Sequence, residues 1–231
     1  MNERQVAKSL RQVVGGVRPV ALASEQLLPV LPAFEPILPQ GIQRGQTLVI
    51  DGGPGASALA LAMIAGATQG GSWAAAVGTP SLGVKAAAEL GVAIERLLIV
   101  KTPAPQLWPT VAASLIDAFD LVLLDWPQAS AGFARRLANR ARERRAVLLS
   151  LSAHAWRDVA DLRFTVAESS WQGLDWGHGR LASRLVTVEM GGRRSVRTQR
   201  LALWLPGSTG QVEAAAGLEP QAGVEELRSA G

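Results

Sequence analysis

Thr47-Leu48-Val49-Ile50-Asp51 is a short, largely β-branched run that ends in Gly52-Gly53-Pro54-Gly55, and the residues after it, Ala56–Ala67, are almost wholly Ala, Leu, Met and Ile. This pattern predicts a strand, a tight glycine turn and a buried helix. The same alternation repeats downstream. Strands are predicted over 73–77, 96–100, 120–124 and 146–151, with helices over 84–90, 107–119 and 130–145 between them. Strands alternating with helices at this spacing predict an α/β fold built on a doubly wound, mainly parallel sheet. After Leu151 the pattern changes. Leu162–Val166, Leu185–Met190 and Val196–Leu205 alternate as strands, and Gly191-Gly192-Arg193-Arg194 joins the last two. A C-terminal antiparallel hairpin therefore extends the parallel core.

The flanks read differently. Val6, Leu10, Val13 and Val14 give residues 3–14 the spacing of a short amphipathic helix, and five prolines across 15–40 predict an extended arm. From Gly207 onward the chain is mostly Gly, Ala, Glu, Gln and Ser, the composition of a disordered tail. The expected organisation is an arm over 1–40, a core domain over 41–206 and a tail over 207–231. The N-terminus is polar, and no long uncharged apolar stretch is present. A cytoplasmic protein without membrane contact is expected.

Composition narrows the chemistry. There is no cysteine and no tyrosine, and the two histidines are His154 and His178. Disulfides, thiolate metal sites, thiol nucleophiles and His-rich metal sites are excluded, so no cofactor or metal is expected. All but three of the 23 basic residues (Lys8, Lys85 and Lys101) are arginine, and the net charge is +4. Arginine forks suit phosphates and carboxylates alike, although an arginine-rich solvated surface gives the same count.

A glycine turn between a strand and a helix is where an α/β fold seats a phosphate. A P-loop needs G-x-x-x-x-G-K-[ST], with the lysine on the β/γ oxygens and the hydroxyl on magnesium. The matching stretch here runs from Gly53 to Ala60. Gly53 keeps the first glycine, but Ala58, Leu59 and Ala60 replace the second glycine, the lysine and the hydroxyl residue. Asp125 ends the strand over 120–124 where a magnesium-binding carboxylate would stand, although a polar residue often ends a buried strand.

In the order and spacing of these pieces the chain resembles the RecA recombinase family. Gly41–Pro54 (GIQRGQTLVIDGGP) is similar to that family's approach to its P-loop, Leu90-Gly91-Val92 with Ile94 and Leu97-Leu98 to a later segment, Phe119–Asp125 to its Walker B strand, and the hairpin after 184 to a late hairpin. The resemblance spans 41–205 and implies a RecA-like core. It also puts Thr79 where the family carries its catalytic glutamate. With Leu59, Ala60 and Thr79 in place of lysine, hydroxyl and glutamate, phosphoryl transfer loses its electrostatic stabilisers, so no enzyme is expected. The short connection from Ser152 to about Asp161 argues against strand exchange.

Among RecA-like proteins the chain looks most like the ImuA type in its short actinobacterial form. That likeness implies an accessory or adaptor protein of DNA-damage-induced translesion synthesis, an SOS-type mutagenic repair. The implied partners are an inactive Y-family polymerase homologue (ImuB-like) and an error-prone replicative-type polymerase, with DNA a further candidate. The alternative is a SulA-type inhibitor of cell division that works by protein binding.

Candidate contact residues for DNA or an acidic partner are Arg135, Arg136, Arg140 and Arg144 on the helix over 130–145, together with Arg193, Arg194, Arg197 and Arg200 around the hairpin turn. Trp171 and Trp176, placed in a loop around Gly173, are candidates for a protein-binding surface, with packing inside that loop as the alternative. Trp126, next to Asp125, is a candidate to fill the lost nucleotide space. Residues 1–40 offer either a homo-oligomer contact or a segment folded on its own core.

Overall fold

The computed structural model describes residues 27–175, 178–193 and 198–215. The helix expected over 3–14, Arg194, Arg197, Trp176 and the residues after Ala215 lie outside this set. The first strand, β3 (Thr47–Gly52), follows a small antiparallel pair, β1 (Leu27–Leu28) with β2 (Ile42–Gln43). Next along the chain come β4 (Ala74–Val77), β5 (Leu97–Val100), β6 (Leu121–Leu124) and β7 (Val147–Ser150). Last are β8 (Leu162–Asp175), β9 (His178–Gly192), β10 (Gln199–Trp204) and β11 (Glu213–Ala214). Apart from β1 and β2, they form one sheet in the order β11-β10-β9-β8-β3-β7-β6-β4-β5. The strands from β8 to β5 run parallel, and β8 to β11 pair antiparallel. The fold is mixed α/β with a large, mostly parallel sheet.

The central parallel strands β4, β6 and β7 are largely apolar because both of their faces are buried. Leu48 and Ile50 face one core with Leu121, Leu123, Val147 and Leu149, while Val49 faces the other with Val122, Leu124 and Leu148. Helices α1 (Ala56–Gln69) and α2 (Val84–Glu89) pack on the first face, α3 (Trp108–Ala118) and α4 (Ala131–Arg144) on the second. This is the double winding that an uninterrupted hydrophobic strand calls for.

Helix α1 is buried on every side from Leu59 to Thr68, so the sheet alone cannot cover it. Residues 27–40 supply the second cover. Leu28, Phe34, Ile37 and Leu38 join the same core, and a Cβ on Gly66 would stand 2.5 Å from the backbone carbon of Val30. The core boundary expected at Gly41 therefore moves back to Leu27. The described part of the expected arm is packed on its own chain, and its prolines start a single 3-10 turn, Pro32–Phe34, instead of an extended run.

Polar clamps fix the strand starts. Asp120 accepts from Arg44 Nη1 at 2.6 Å and from the Trp73 backbone N–H at 2.9 Å, and Asp161 accepts from the Thr47 backbone N–H at 2.9 Å. Tail residues 207–215 are ordered around β11, since pairing with Leu203 and Trp204 holds Ala214 and Glu213 despite their composition.

The hairpin expected over Leu185–Leu205 is present as β9 and β10, paired over 185–190. A larger feature was not expected. β8 pairs with β3 only through Val166, then continues past the carboxyl end of β3 as a two-stranded ribbon with β9, bulged near Val166/Glu168 and Gln172/Leu174. Trp171 accordingly lies on a strand and not in a loop.

Candidate functional site

Because β3, β7, β6 and β4 are adjacent and parallel, the residues that follow them share one edge of the sheet: Gly53, Ser152, Asp125 and Thr79. In α/β sheets the crevice outside the carboxyl ends is the usual ligand position. Here the side chains at that edge are engaged elsewhere. Gly55 caps α1 with φ at 114°, and no side chain completes the cap. Leu59 donates its backbone N–H to the Gly55 carbonyl at 2.8 Å, and both Leu59 and Ala60 are fully buried in the core. Leu59 does not project into the turn at all; it is part of the packing between α1 and the sheet.

The polar survivors are engaged or enclosed. Asp125 accepts the Ser152 hydroxyl at 2.6 Å. The Thr79 hydroxyl is buried without a hydrogen-bond partner among the described residues. The ribbon packs against the end of the turn, since a Cβ on Gly55 would meet Val186, the Ser169 hydroxyl and Arg184 Nη1 at 3.4–3.7 Å, while Gly53 and Pro54 stay exposed. A magnesium–triphosphate does not fit these residues, because positions 59 and 60 offer only buried carbon and Asp125 already holds a hydroxyl.

Trp126 does not fill that space. It stacks on Trp108 with ring centroids 5.0 Å apart, on the face of the sheet opposite α1, with Phe133 tilted against it. Gly78 permits this stack. Its φ is +74°, and a Cβ there would stand 2.4 Å from both the Asp125 carbonyl and the Trp108 ring.

The candidate arginines separate into two groups. On α4, Arg140 chelates Asp117, with Nε at 2.7 Å, and Arg144 Nε reaches the same carboxylate at 3.0 Å. The hydrogen bond to Asp117 raises the Arg140 pKa above its ordinary value. Arg135 and Arg136 are exposed, and Arg136 lies over the Phe133 ring at 4.3 Å. Arg140 and Arg144 are thus held internally, which leaves two of the four expected contacts on this helix open.

The second group lies on β8 to β10. Arg193 lines a cavity of about 330 Å³ together with Arg157 and Arg163, two residues absent from the candidates drawn from the sequence. The signal for Arg163 was in the sequence, because Leu162-Arg163-Phe164-Thr165-Val166 alternates and places Arg163 outward. Arg200, in contrast, is paired with Glu189 at 2.7 Å. Elsewhere on β9, Arg184 lies 4.2 Å over the exposed Trp171 ring, and burial lowers its pKa. Trp171, Arg184, Leu181, Lys85 and Pro206 line a groove of about 660 Å³.

Among the described residues, no group of three or more His, Cys, Asp or Glu side chains is placed to hold a metal. No described helix is long and apolar enough to cross a membrane.

Comparison with known proteins assigns this architecture to a family. The family model described as the MT3502 N-terminal domain matches residues 36–158, more than half of the chain. The chain belongs to that family. The MT3502 match takes in β2 to β7 with all four helices and stops short of β8. The chain is also similar to the uncharacterized protein Rv3395c of Mycobacterium tuberculosis, at 37% identity over 137 residues, covering 59% of this chain and 58% of that protein. It thus spans less than two thirds of that relative's length.

Proposed function

We propose that this chain is a non-catalytic, RecA-like accessory protein of DNA-damage-induced translesion synthesis, an adaptor that binds an inactive Y-family polymerase homologue of the ImuB type and touches DNA. One observation carries the reading. The chain keeps the strand, glycine turn and helix that would cradle a phosphate at the middle of a mostly parallel sheet, but buries Leu59 at the lysine position. A protein built this way retains the framework of a nucleotide-binding core and works through its surfaces. The antiparallel extension after β8 and the arginines on it support the same reading, as does the groove beside Trp171 for a protein partner.

The direct test is co-purification of the full chain with the polymerase homologue, alongside calorimetric titration with ATP and magnesium. Complex formation without ATP uptake is expected. Micromolar, magnesium-dependent ATP binding would overturn the reading. Failure to bind the homologue, with filamentous cells on overexpression, would favour a SulA-type division inhibitor instead.

A further inference from the structure

We propose that the cavity between Arg157, Arg163 and Arg193 binds the phosphodiester backbone of a nucleic acid without reading its bases. The argument begins with strand register. On β8 and β9, Phe164 and Val166 sit opposite Met190 and Val188, and all four are buried in the core shared with α1. The alternate residues, Arg163 and Thr165 opposite Gly191 and Glu189, face the other way. The turn after β7, Ala153–Ala160, borders this outward face with Arg157.

Gly191 keeps the space open. It pairs with Arg163, and a Cβ built there would meet nothing within 4 Å. The resulting cavity of about 330 Å³ is lined by charged, hydroxyl and small residues, with Ala160 its largest apolar side chain. Such a lining gives no anchor for an apolar peptide side chain and no ring on which a base would stack. What it offers is cations and the hydroxyls of Thr165 and Thr198.

Those cations lack carboxylate partners among the described residues. None of Arg157, Arg163 and Arg193 has a carboxylate within 4 Å among the described residues. Arg163 and Arg193 each make one long bond to a backbone carbonyl, at 3.4 Å, which leaves most of each fork free. The one carboxylate in the lining, Glu189, is already held by Arg200. Three guanidinium groups around one open cavity repel one another unless an anion lies between them. Their planar forks match phosphate oxygens in pairs. A single carboxylate or phosphoryl group satisfies one or two such forks; successive phosphates of a strand satisfy all three.

This inference deepens the DNA contact in the proposed function, and it rests on that reading only for where the strand comes from. The test is fluorescence anisotropy of the full chain with labelled single-stranded and duplex 20-mers between 50 and 200 mM NaCl. At 100 mM salt, R157A/R163A/R193A is expected to bind at least about tenfold more weakly, and the log–log salt slope is expected to shrink by roughly two to three, near one for each phosphate that is no longer neutralised. R157K/R163K/R193K keeps the charges, so it is expected to retain the salt slope. It supplies the comparison if circular dichroism shows the alanine variant unfolded. R135A/R136A is expected to stay within about twofold of wild type. Absence of binding by the wild type, affinity of the triple alanine variant within about twofold of it, or equal competition by a phosphoserine peptide would each overturn the proposal. Co-purification of the alanine variant with the polymerase homologue is expected to persist. Loss of DNA binding with that complex intact separates this site from the adaptor role.

Discussion

Two regions of the molecule treat charge differently. On the parallel strands and the helices beside them, three carboxylates have partners inside the chain: Asp120 with Arg44, Asp125 with Ser152, and Asp117 of α3 with Arg140 and Arg144. Around the cavity beside β8 and β9, Arg157, Arg163 and Arg193 stand without an acidic partner among the described residues, although Arg200 on β10 is paired with Glu189. Both regions are rich in arginine, so arginine content does not distinguish them. Clustering around a cavity without a carboxylate partner does. A cation matched within the fold stabilises the fold, whereas one left unmatched around an open cavity is available to a ligand.

The contrast can be broken most forcefully from the parallel side. Leu59→Lys buries an unpaired ammonium in an apolar core and should cost more than about 4 kcal/mol. Urea denaturation measures this, and no ATP turnover should appear; a stable, ATP-hydrolysing variant would mean that a side chain at position 59 can reach a bound phosphate. Asp120→Ala leaves Arg44 buried without its counter-ion and should cost roughly 3 kcal/mol by the same measurement. A smaller effect sharpens the comparison. Asp117→Asn releases Arg140 and Arg144 from a partly exposed pair, at a cost of about 1 kcal/mol. If pairing is what silences Arg140 and Arg144, the freed arginines should raise DNA affinity by roughly twofold. The smallest change is expected from R135A/R136A, whose thermal unfolding midpoint should match that of the wild type.

What the sequence disclosed and what it hid follow from the same physics. The parallel strands and the glycine turn were legible because strands buried on both faces read as unbroken apolar runs bounded by turn residues. The ribbon of β8 and β9 was not, since Ser169, Ser170 and Gln172 have weak strand preference, and cross-strand pairing holds them. The prolines over 27–40 hid a packed segment. The clue was the all-apolar helix Ala56–Gln69, which one sheet face cannot cover. At the candidate site, Thr79 and Asp125 follow neighbouring parallel strands, whereas Leu59 belongs to the packing of α1. The engagement of Arg140 and Arg144 was invisible because Asp117 lies 23 and 27 residues away from them in sequence.

The position of β8 has a practical consequence. The family match ends at residue 158, yet β3 has β8 as one of its two neighbours, bonded along Leu48–Gly52. Cutting the chain at that limit would strip hydrogen-bonding partners from the middle of the sheet and uncover the apolar flank of the first helix. Such a fragment would recruit a strand from another copy of itself and aggregate. Recombinant work on this family member should therefore keep residues 27 to 215 together as one cooperative unit.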